Sequence, residues 1–68
     1  MDEIEKSKIL LNHWIEHNET HIKSYKEWAE KLKEMGYNEI SQKIKEAADI
    51  ILIVNEKFKQ AEEMLKGK

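Results

Sequence analysis

The chain has no cysteine, no proline and no arginine, and only two glycines in 68 residues. Without cysteine there are no disulfides, thiolate zinc sites, iron–sulfur clusters or cysteine nucleophiles, which suits a cytoplasmic protein. Without proline, and with glycine only at Gly36 and Gly67, nothing but the neighbourhood of residue 36 interrupts a helix. Nucleic-acid binders carry a basic face with arginine forks for phosphate and guanine. Here 14 acids oppose 12 basic residues, all lysine, so DNA and RNA are not expected partners. A long apolar run is missing too. The longest, Ala47 to Val54, is broken by Asp49 and far too short to cross a bilayer, and Met1-Asp2-Glu3 opens acidic where a signal peptide would be basic. The expectation is a soluble protein with no membrane partner.

A single domain of this length has little core and usually needs a metal, a staple or a second chain to be stable. Lys, Glu and Ile dominate, a composition also seen in proteins of heat-loving prokaryotes, where surface ion-pair networks gain value with temperature.

What is present is helical periodicity. Asp2, with Glu5 three residues on, predicts the start of a helix over about 3–35. Its apolar residues follow a heptad. Ile4, Leu11, Tyr25 and Leu32 fall on one position and Trp14, Trp28 and Met35 on the other, with Ile15, Ile22 and Ala29 widening the stripe and Asn18 and His21 in the same seam. Pairs such as Glu19/Lys23 and Glu27/Lys31 predict a solvated outer face. Gly36-Tyr37-Asn38 reads as a tight turn, with Gly36 ending one helix and Asn38 capping the next. The second helix, about 39–65, has Ile44, Ile51, Phe58 and Leu65 on one heptad position and Ile40, Ala47, Val54 and Ala61 on the other. The fold class is therefore all-α, an antiparallel two-helix hairpin occupying residues 1–68 as one domain.

The apolar surface around Ala47 to Val54 exceeds what one hairpin can cover. Ile50, Leu52, Ile53 and Val54 are accordingly expected to form an interface, with two hairpins dimerising into a four-helix bundle or one docking on another protein. Asn18 and Asn55 face each other in this reading, a polar pair that fixes register. Trp14, Tyr25 and Trp28 are expected in the core.

His13, His17 and His21 are spaced four residues apart and form a slanting row on the first helix. Two imidazoles one turn apart can share a metal ion, and a complete site needs further ligands. With the turn near residue 36, Glu56 lies across from His17, so His17, His21 and Glu56, with His13 peripheral, make a candidate set for zinc, nickel, cobalt or iron. The competing reading gives these histidines ordinary polar positions at the boundary of a bundle. The row lacks the His-Glu-x-x-His spacing of zinc proteases, and no Glu-x-x-His of di-iron bundles occurs. No nucleophile–base arrangement or phosphate loop is present either, so an enzyme is not expected.

The run His13-Trp14-Ile15-Glu16-His17-Asn18-Glu19, then His21, Tyr25 and Trp28-Ala29, a glycine turn, and a second helix carrying Ala47-Ala48 and Asn55-Glu56, resembles a small prokaryotic helical domain, the HWIEHNE domain, of uncharacterised function. That domain occurs alone and attached to nickel-binding accessory proteins of the carbon-monoxide dehydrogenase system. The resemblance implies an all-α hairpin and a link to metal handling, and no reaction. Two functional readings thus stand side by side: a non-catalytic interaction or oligomerisation module, and a metal- or small-ligand-binding module.

Overall fold

The computed structural model describes residues 2–68; Met1 of the 1–68 unit lies outside the described residues. Two helices, α1 (Glu3–Glu34) and α2 (Asn38–Leu65), pack antiparallel as a hairpin measuring 51 × 17 × 12 Å. The start of α1 follows from its sequence. Asp2 accepts a hydrogen bond from the Glu5 amide at 2.8 Å, Glu3 and Glu5 sit in the first turn, and Lys31 and Lys33 in the last, so both ends suit the helix dipole.

The turn is a Schellman motif. The Tyr37 amide donates to the Leu32 carbonyl at 2.9 Å and the Gly36 amide to the Lys33 carbonyl at 3.0 Å, around a Gly36 with φ of 90°. An added Cβ at Gly36 would meet open space, so only backbone strain opposes it. Gly36→Ala should therefore cost about 1–2 kcal/mol, read as a lower urea midpoint with an unchanged slope. The cap of α2 departs from expectation. Tyr37 holds the N-cap position with no side-chain hydrogen bond, and Asn38 lies within the helix. The Schellman bonds draw Tyr37 back onto α1, so the second helix begins one residue earlier.

The seam between the helices is narrow and made of small or polar residues. Leu11, Ile15 and Ala29 are buried from α1, and Ser41, Ala48 and Asn55 from α2. Ala29, Ser41 and Ala48 let the backbones approach closely enough for the Ser41 hydroxyl to donate to the Ala29 carbonyl at 2.7 Å. The Asn55 amide donates to the Ile15 carbonyl at 3.0 Å. These two bonds lie two heptads apart on each helix and so share one register. Asn55 also accepts from the Asn18 amide at 2.9 Å, as the sequence predicts. Since the Ile15 carbonyl can only accept, it sets which way the Asn55 amide points. Among the described residues no buried side-chain polar atom lacks a partner.

The large heptad residues do not fill this seam. Ile44, Ile51, Phe58 and Leu65 are half-buried along its edge, while Trp14, Trp28, Met35, Ile40 and Val54 are exposed by a third or more. Tyr25 is half-buried, so of the three aromatics expected in the core none is enclosed. Among the described residues, no helix is long and apolar enough to cross a membrane.

Candidate functional site: two unlike flanks and a histidine row

The seam divides the hairpin into two flanks of opposite character. On one, Glu56 lines a groove with Glu19, Lys23, Lys26 and Lys59, and Lys59 reaches Glu19 across the helices at 3.9 Å. Lys26, Glu30, Lys45 and Asp49 line a second depression nearer the turn. That ion pair is more than half exposed on both sides, so it contributes little to stability.

The other flank is apolar along its length. Trp14 meets Phe58 with ring centroids 5.6 Å apart. Nearer the turn, Tyr25 shares a depression with Ile44, Ala47, Ile50 and Ile51, where Lys43 is the one charged neighbour. Trp28 lies exposed on this side with the Lys31 ammonium 4.3 Å from its ring centroid. By the step of about 100° per residue, Trp14, His21, Trp28 and Met35 share one direction on α1, and Ile40, Ala47, Val54 and Ala61 share one on α2. Each helix thus spends one heptad line near the seam and leaves the other largely open, with Trp14, Trp28, Met35, Ile40 and Val54 all exposed by a third or more.

The four interface candidates divide between these surfaces. Ile50 and Val54 belong to the apolar flank. Leu52 lines the charged groove with Glu56, and Ile53, about 100° further round α2, points away from α1. A continuous apolar run in sequence spreads its side chains around a helix, so it does not make a patch.

The histidines form a ladder of rings on α1. His13 stacks on His17 at 6.1 Å, His17 meets His21 edge-on at 4.4 Å, and His21 stacks on Tyr25 at 5.7 Å. His13 and His17 are exposed and His21 half-buried. The Nε2 atoms of His17 and His21 are 2.9 Å apart, a hydrogen bond in which one ring donates and the other offers its lone pair. His21 and Tyr25 tie this pair to the apolar flank.

The set of His17, His21 and Glu56 is therefore divided. Glu56 stands at about the expected level along the hairpin but on the opposite side of the seam. Among the described residues, no three histidine, cysteine or acidic side chains gather as ligands of one ion. His13, His17 and Glu56 do not complete a site within one chain; the His17 and His21 pair is what remains. Ile15 and Ala29, which widen the apolar stripe in the sequence, are buried in the seam, whereas the seam role of Ser41 and Ala48 escaped the sequence reading. Their signal was a heptad of small and polar residues, Ser41, Ala48 and Asn55, facing Ile15, Ile22 and Ala29.

The fold and its surfaces define a class: a two-helix hairpin with a hydrogen-bonded seam, one charged flank and one open apolar flank. The chain belongs to the family described as a Domain of unknown function (DUF8180), which matches residues 7–65. It is also similar to an uncharacterised protein of Archaeoglobus fulgidus, 41% identical over 63 residues that span 93% of this chain and 89% of that one. No solved structure matches.

Proposed function

We propose that the chain is a non-catalytic cytoplasmic assembly module that pairs with a second copy of itself through its apolar flank, forming a four-helix bundle. The observation that carries this reading is the largely exposed heptad line on each helix, Trp14, His21, Trp28 and Met35 beside Ile40, Ala47, Val54 and Ala61. Heptad lines facing one way on two antiparallel helices are what a bundle core requires of each half.

The amount of exposed surface supports a second copy as the occupant. A compact monomer of 8.1 kDa exposes about 4,500 Å² by the scaling of area with mass, whereas this chain exposes 5387 Å². The difference, about 900 Å², is close to the ~800 Å² that each partner brings to a standard interface. The core points the same way, since Leu11, Ile15, Ala29 and Ala48 are the buried apolar residues. Four side chains, two of them alanine, offset little of the entropy of ordering such a chain.

An association with nickel-binding accessory proteins, which the sequence resemblance implies, would use the bundle in the same way, as a device that pairs whatever is joined to it. The test is sedimentation equilibrium in the presence of a chelator. A mass of twice 8.1 kDa is expected. A single-chain mass at micromolar concentration would overturn the reading.

A further inference from the structure

We infer that the His17 and His21 pair is half of a divalent transition-metal site, completed by the same pair from a second copy across the bundle; this rests on the self-association proposed above. With metal–nitrogen bonds of about 2.0–2.1 Å, two nitrogens on one ion sit about 2.9 Å apart at a right angle and about 3.3 Å apart at the tetrahedral angle. The Nε2 atoms of His17 and His21 are 2.9 Å apart. The spacing is thus within about 0.4 Å of what one tetrahedral ion needs, a difference that a turn of the imidazole rings can supply without moving the helix.

Position supplies the missing ligands. α1 runs Glu3–Glu34, so His17 and His21 bracket its midpoint. His21 also lies on the flank that the second copy would cover, stacked on Tyr25, with His17 at the rim of that flank. When α1 packs antiparallel on the α1 of a second copy over its full length, the two-fold axis crosses the helix at its midpoint, and that midpoint meets itself. Two pairs then face each other, and four imidazole nitrogens surround one position. Among the described residues of one chain, no third histidine, cysteine or acidic ligand joins the pair, so the site is incomplete without the second copy.

The chemistry is coordination alone. Each ring offers the Nε2 lone pair with its N–H on Nδ1, so the hydrogen bond between the rings gives way to two metal–nitrogen bonds. Four neutral imidazoles favour zinc, cobalt, nickel or copper over magnesium or calcium, which select oxygen. The ion would keep its full charge. His17 lies exposed at the rim, which lets solvent share that charge.

The experiment is a titration of the metal-free, full-length protein with Co²⁺, followed by its visible absorption and by sedimentation, with Zn²⁺ as competitor. Expected are one Co²⁺ per two chains, intense tetrahedral bands displaced by Zn²⁺, and a more than ~100-fold loss of affinity in both His17→Ala and His21→Ala. The ladder's outer ring provides the control, since His13→Ala should bind within a few-fold of the parent. His17 is exposed and His21 half-buried, and circular dichroism of each variant checks that its helices persist. One ion per chain, or equal binding in the His17→Ala variant, overturns the inference. A dimer in chelator that takes up no Co²⁺ at micromolar concentration overturns this inference and leaves the assembly reading standing. A monomer in chelator overturns the assembly reading.

Discussion

Val54→Glu should convert the dimer to single chains. Val54 lies on the open apolar line of α2 and is 37% exposed in the isolated hairpin, so association would bury it. Placing a carboxylate there without a partner costs several kcal/mol, and a two-fold interface incurs the cost twice. The dissociation constant should rise by more than ~1,000-fold. Sedimentation equilibrium reads this directly, and helicity should become concentration-dependent over the same range. Leu52→Glu and Ile53→Glu are the matched controls. Both residues are exposed and apolar, but one lines the charged groove and the other faces away from α1. If those two dissociate the dimer while Val54→Glu does not, the copies meet through a different surface.

The second large effect is expected at Asn55, which is 3% exposed and joins both helices. Asn55→Ala removes the bond to the Ile15 carbonyl and the acceptor for Asn18, and opens a void in the seam between the helices. A loss of about 2–4 kcal/mol follows, measured by urea unfolding at fixed protein concentration because the proposed assembly would contribute to stability. Asn18 is only half-buried, and water can take over its hydrogen bonds. Asn18→Ala should cost about 1 kcal/mol. In the double variant the costs should sum to less than the separate values, since the shared bond can be lost only once.

The hairpin, its turn at Gly36 and the pairing of Asn18 with Asn55 were legible in the sequence because each depends on order along the chain. A glycine ends a helix locally, and in an antiparallel pair the turn sets which residues stand at the same level. Direction around the helix axis was not legible in that way. Glu56 stands at the level of His17 but on the other flank, and Leu52 parts from Val54 for the same reason. Which heptad line would close was hidden by side-chain size. Counting apolar residues favours Trp14, Phe58 and the isoleucines, yet the helices meet along Ala29, Ser41 and Ala48, where little side chain holds the backbones apart and hydroxyl or amide groups can reach a carbonyl. A hydrophobicity count passes over such a line.

The tight Schellman turn has a consequence for anything joined to the domain. Because α1 and α2 reverse direction at Gly36, Asp2 and Lys66 lie together at the far end of a body 51 Å long. A segment attached at either terminus leaves from that one end. In an antiparallel pair of hairpins the two exits point in opposite directions, so the bundle would act as a ruler, holding its cargoes at a separation set by helix length and indifferent to which terminus carries them.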